Sequence, residues 1–196
     1  LHQSVFSNRV IMAIFVVGIF ANLVFEGVDQ YWQVLFGEIR KIDVVYFGFF
    51  TAVGALLILV FVRFSERYYN KLGSYLAACF FSIAVLLWAM PRVSNYYAVN
   101  ALVAYFFLKE LIRPALSTHL NRQYGGENRA AFLSGYNLVC SVGEVLAGVM
   151  VGFLASRRGV AFVFYFAAVA ATAVPVVYWI ISKNIKNKPL ISINNG

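Results

Sequence analysis

Apolar positions gather into six long runs, at residues 10–28 (with an extension toward 36), 44–62, 73–90, 96–116, 130–155 and 160–181. Each is close to the roughly 20 residues that an α-helix rising 1.5 Å per residue needs to cross a bilayer. The breaks at 37–43, 91–95 and 156–159 leave room only for tight turns, whereas those at 63–72 and 117–129 are longer. Long and short connections therefore alternate between the two sides of a membrane. The pattern predicts an all-α membrane protein. Residues 1–182 form a six-transmembrane-helix bundle, and a polar cytoplasmic tail, expected to be disordered, follows at 183–196.

Polar positions inside the runs form stripes. Asn22, Glu26, Asp29, Gln30 and Gln33 share an arc of roughly 100° on the first helix. Ser134, Asn137, Ser141 and Glu144, continued by Gly148 and Gly152, share about 80° on the fifth. The fourth carries Tyr105, Lys109 and Arg113 at i, i+4 and i+8, with Glu110 three residues before Arg113. A charge within a bilayer is expensive, so it faces a cavity or a partner. Glu26 is accordingly read as lining a polar cavity, and the polar half of the fifth-helix stripe as a cavity wall. Gly148 and Gly152 are expected to allow close helix packing. Two readings hold for the fourth helix. Either Lys109 and Arg113 snorkel near the cytoplasmic end, with Glu110 paired locally to Arg113, or these cavity charges balance a carboxylate or attract an anion. The third and sixth runs hold no charged residue, so one side of the bundle faces lipid and the other faces water or a partner.

Composition supports the membrane reading. Of 196 residues, 62% are hydrophobic and 12% charged, too apolar for a water-soluble core. The formal charge of +8 resides in breaks between runs, where basic residues orient helices; nucleic acid is not an expected partner. Eleven of the 16 Lys and Arg fall on the side of the termini and five on the other, which places both termini in the cytoplasm. Tyr31, Trp32, Trp88, Tyr96 and Tyr97 are read as the outer aromatic belt, and Tyr68, Tyr69, Tyr178 and Trp179 as the inner one. Cys79 and Cys140 lie inside apolar runs, and His2 and His119 lack ligand-spaced partners, so no metal or cofactor is expected. An intramembrane serine hydrolase would need more than Ser134-Gly135: Phe132 stands where a glycine usually precedes the nucleophile, and His119 lies in a loop before the helix. The chain is not read as an enzyme. It begins at Leu1, which is read as processing or as a piece of a longer protein.

Three stretches carry a family resemblance. They are Phe25-Glu-Gly-Val-Asp-Gln-Tyr-Trp-Gln33; Arg113-Pro114 with Leu120-Asn121, Asn128-Arg129-Ala130 and Ser134; and Gly148, Gly152-Phe-Leu-Ala and Arg158-Gly159. Together they resemble the C-terminal six-helix half of a major facilitator superfamily transporter, the first stretch looking like the seventh helix of bacterial drug-efflux members. The resemblance implies two inverted three-helix repeats, a central cavity, and a partner in an N-terminal six-helix half outside this chain. It also implies secondary transport of a small molecule, coupled to protons, across the plasma (inner) membrane. Glu26, Asp29 and Glu144 would then carry protons or cations, and Gln30, Asn137 and Ser141 would hydrogen-bond substrate. The alternative is a standalone six-helix membrane protein with a binding or structural role.

Overall fold

The computed structural model describes residues 9–65, 72–123 and 129–183; the expected tail lies almost wholly outside them. All regular structure among the described residues is helical. Six helices run antiparallel in turn: α1 (Arg9–Gln33), α2 (Val45–Ser65), α3 (Leu72–Ala89), α4 (Asn95–Gln123), α5 (Arg129–Arg158) and α6 (Val160–Lys183). A π-helical turn, Val34–Ile39, prolongs α1. The connections at 40–44, 90–94 and 159 define one end of the bundle, the turn end. Arg9 and Lys183 mark the opposite, terminal end.

Three helical stretches among the described residues are long and apolar enough to cross a membrane: Ile14–Ile39, Leu133–Arg158 and Val160–Ile181. The six expected runs each fall on a helix, and by length and composition alone three of these helices qualify as spans. Val45–Leu57 and Gly73–Ala89 are apolar but shorter, and α4 carries Lys109, Glu110 and Arg113 along its length. α4 also runs on to Gln123, past the expected end at 116, continuing through Pro114. That proline forfeits one backbone hydrogen bond without ending the helix.

The turn end is built by specific chemistry. The Asp43 carboxylate accepts the Val45 N–H at 3.0 Å and caps α2. Gly159 alone separates α5 from α6; its φ of +85° suits a residue without Cβ, and its N–H returns to the Ala155 carbonyl at 2.9 Å. Arg40 ties two connections together. Its guanidinium donates to the carbonyls of Met90 (2.5 Å) and Val93 (2.8 Å) and to Asn95 Oδ1 (3.0 Å), while Asn95 Nδ2 donates back to the Arg40 carbonyl at 3.2 Å. A cation thus neutralises carbonyls at the C-terminal end of α3. Burial lowers the pKa of this guanidinium from its ordinary value. Arg92 lies between the rings of Trp88 (4.3 Å) and Tyr165 (4.2 Å), joining α3 to α6.

α1 is the hub, packing on α5 and α6; α4 packs on α2 and α3, and α3 also meets α6. The helical periodicity of apolar residues explains these contacts. α3 buries Leu76, Phe80, Ile83 and Leu87 on one stripe, and α6 buries Val163, Phe164, Ala167, Ala171 and Val174. Phe25 of α1 stacks on Phe80 of α3 at 5.9 Å and meets Tyr105 of α4 edge-on at 6.3 Å. Trp32 is buried between Phe47 and Phe106, so it is a core residue rather than a belt anchor. Trp88, Tyr96, Tyr97 and Trp179 are exposed, as belt residues should be; Tyr68 and Tyr69 lie outside the described residues.

Apolar side chains also cover the outside. Leu138, Val142, Val145, Leu146, Val149 and Phe153 form one exposed stripe along α5. So large an apolar surface suits lipid or a protein partner and not water.

Candidate functional site

The polar stripe of α1 faces α4 and α5, and each of its turns finds a different partner. Nearest the terminal end, Asn22 Nδ2 donates to the Cys140 carbonyl of α5 at 3.2 Å. One turn on, Glu26 Oε1 accepts from Gln30 Nε2 at 2.5 Å. Beyond it, the Asp29 carboxylate forms an ion pair with Lys109 of α4 and also accepts from the Tyr105 hydroxyl at 3.5 Å. Lys109 is only 9% exposed, and its ammonium lies 5.9 Å from the centre of the Phe25 ring. A buried ammonium needs such a counter-charge.

Below this pair lies a cavity of about 450 Å³, walled by α1, α4 and α5. α1 contributes Gly18, Ala21, Asn22 and Phe25; α4 contributes Ile112, Leu116 and Ser117; α5 contributes Leu133, Tyr136, Asn137, Cys140, Ser141 and Glu144. The register of α5 accounts for this wall. Gly143, Ala147 and Val151 form its buried row. At about 100° per residue, Glu144, Asn137 and Ser141 follow along one edge of that row. Their edge position leaves Asn137 and Ser141 exposed and Glu144 half-buried.

The residues singled out from the sequence therefore divide into groups. Asn137, Ser141 and Glu144 line the cavity. Glu26 is not among the residues that line this cavity; it lies a turn past Asn22, where it bonds Gln30. Asp29 is engaged with Lys109. Lys109 is the central residue of the 29-residue α4 and pairs with a carboxylate across the bundle. Glu110 is half-buried, and its expected partner, the Arg113 side chain, lies outside the described residues.

The small-residue expectation also shifts. A Cβ on Gly152 would meet nothing within 4 Å, and one on Gly148 only Gln30 Nε2 at 3.7 Å. The close approach of α1 and α5 occurs instead at Gly143, where a Cβ would lie 3.3 Å from the Ile19 backbone, and at Gly18, where it would lie 2.8 Å from the Tyr136 ring. Gly143 belongs to the buried row and Gly152 lies about 180° away from it.

No family model matches the chain. Over 190 residues it is 20% identical to an uncharacterized MFS-type transporter, YxaM of Bacillus subtilis (strain 168), in a match covering 95% of this chain and 47% of that protein. The chain thus spans about half the length of the curated relative it matches. It is an integral membrane protein similar to half of an MFS-type transporter. Among the described residues no group of His, Cys, Asp or Glu is arranged to hold a metal ion.

Proposed function

We propose that the chain is the C-terminal half of a secondary active transporter that moves a small molecule across the plasma membrane, coupled to protons. The observation that carries this reading is convergence: polar groups from α1, α4 and α5 meet around one cavity. Charged and polar groups within a membrane bundle mark substrate and ion paths. Asn137, Ser141 and Glu144 would contact substrate, with Glu144, Glu26 and Asp29 as proton carriers and Gln30 as a further hydrogen-bonding group. The drug-efflux resemblance of the Phe25–Gln33 stretch favours outward movement.

The packing supports a pair of inverted repeats, α1–α3 and α4–α6. Exchanging each helix for the one three places on turns the α1 contacts with α5 and α6 into those of α4 with α2 and α3, and leaves the α3–α6 contact in place. The exposure of Asn137 and Ser141 supports a missing cover, which an N-terminal bundle would supply. The Lys and Arg bias supports cytoplasmic termini.

The test is reconstitution in proteoliposomes holding a pH-sensitive dye. The chain alone should insert without moving protons in response to any solute. Joined to its N-terminal half, it should show solute-dependent, saturable proton flux. Saturable transport by the purified 196-residue chain as a monomer would favour a standalone six-helix protein instead.

A further inference from the structure

Where α3 meets α6, two apolar stripes converge on a cation. On α3, Phe81, Val85 and Trp88 are exposed at i, i+4 and i+7. On α6, exposed Phe162 and Val169 flank the half-buried Tyr165 at i, i+3 and i+7. The Trp88 and Tyr165 rings meet at 5.1 Å, which joins the stripes at the turn end. The exposed Arg92 guanidinium lies between those rings, and one of its N–H groups donates to the Trp88 carbonyl at 2.9 Å. Arginine carries about five such donors, so most of the fork is left for another acceptor. At the start of α6, the exposed Arg158 lies 5.8 Å from the centre of the Phe162 ring. Asp29–Lys109 is the one ion pair among the described residues, so neither guanidinium has a carboxylate partner there. Glu66 and Glu127, outside the described residues, adjoin in sequence helix ends at the opposite end of the bundle.

We propose that this face holds one anionic phospholipid of the phosphatidylglycerol type, its phosphate on Arg92 with Arg158 beside it and its acyl chains along the two stripes. Tryptophan and tyrosine favour the depth of the headgroups, so the rings that grip Arg92 set it at phosphate level. A guanidinium fork takes a phosphate through two parallel hydrogen bonds, which an ammonium cannot match. The stripes then lead inward: Phe81 lies about 10 Å below Trp88 by helical rise, near the middle of α3. A free phosphate would satisfy the cation and leave that apolar surface bare. A zwitterionic lipid would bring its own positive charge to two unpaired guanidiniums. An anionic lipid meets both demands in one molecule. The face belongs to α3 and α6, apart from the cavity walled by α1, α4 and α5.

The test is native mass spectrometry of the complete protein carrying this chain, released from micelles and titrated with chain-matched dioleoyl lipids. The first copy of phosphatidylglycerol should bind about tenfold more tightly than phosphatidylcholine. Arg92→Gln should erase most of that preference, and Arg92→Lys, which keeps the charge without the fork, should retain part of it. Lys41→Gln removes the same charge at the same end, but Lys41 lies in the groove of Gln33, Asp43 and Phe47 beside α2. Its loss should change phosphatidylglycerol affinity by less than about twofold. Inorganic phosphate in large excess should not displace the lipid. Equal affinity for the two lipids in the unaltered protein would overturn the proposal, and this comparison stands even if Arg92→Gln fails to fold. So would a full preference surviving in Arg92→Gln, equal losses in Lys41→Gln and Arg92→Gln, or displacement of the lipid by inorganic phosphate.

Discussion

Replacing Asp29 with Asn strands the Lys109 ammonium. Lys109 is the middle residue of α4 and lies about 21 Å from either helix end by helical rise. With 9% of the residue exposed, it cannot rehydrate in place. Insertion scales set a charge at mid-membrane at about 2.5–3.5 kcal/mol, and removal of one partner from a buried pair costs about 3–5 kcal/mol. We expect Asp29→Asn to lower stability by about 3 kcal/mol. Lys109→Gln is the milder lesion, because the Asp29 side chain is 33% exposed and is better placed to find water or a proton. A loss of about 1–2 kcal/mol is expected there. The double variant leaves neither charge, so its loss should fall short of the summed single losses by about 2 kcal/mol. The assay is reversible unfolding of the purified chain in mixed micelles, with all four proteins compared at one pH and one detergent composition. Additive losses would refute the pairing. A larger loss for Lys109→Gln than for Asp29→Asn would refute the burial argument.

Three further outcomes follow from other contacts. Gly143→Val should destabilise the α1–α5 contact by about 1–3 kcal/mol, because even its Cβ would crowd the Ile19 backbone at 3.3 Å, whereas Gly152→Ala should be silent in the same unfolding assay. Arg40→Ala should speed hydrogen exchange in the 90–95 connection by roughly tenfold or more, since three acceptors lose a cationic donor; unchanged exchange would show that the clasp is ornamental. Reporter domains fused at Leu1 and after Lys188 should both be active only in the cytoplasm, as the bias of basic residues requires, and periplasmic activity at either would reverse the proposed orientation.

The helices and the polar stripes of the first and fifth runs were legible because both are local. A run of apolar residues declares a membrane helix, and a 3.6-residue period declares a face. Pairing across the bundle was not legible. Asp29 and Lys109 are 80 residues apart, and whether Lys109 met a carboxylate or a headgroup depended on how far α4 ran past Pro114. A break from Ser117 ended the expected span, but the helix continued to Gln123, which makes Lys109 its middle residue. The glycines failed for a related reason. Gly143, Gly148 and Gly152 look alike in sequence, and only the buried row set by Ala147 and Val151 selects Gly143 as the crossing point. Arg40 gave no local sign of its role, since its acceptors, two backbone carbonyls and the Asn95 side chain, lie 50, 53 and 55 positions away.

The π-helical turn at Val34–Ile39 has a bearing on how this chain tolerates change in length. A wider turn takes up more residues per revolution than an α-helical one, and a single inserted residue is its usual origin. Here it stands between two fixed points, the Asp29 anchor on one side and the Arg40 anchor on the other. Deleting one residue from the turn would relax it to α-helical geometry while both anchors kept their azimuth. Deleting one residue from the α-helical stretch before Asp29 has no such buffer and would swing Asn22 by about 100° away from α5. Single-residue gaps between this chain and its homologues should therefore collect at 34–39 and be rare at 14–29.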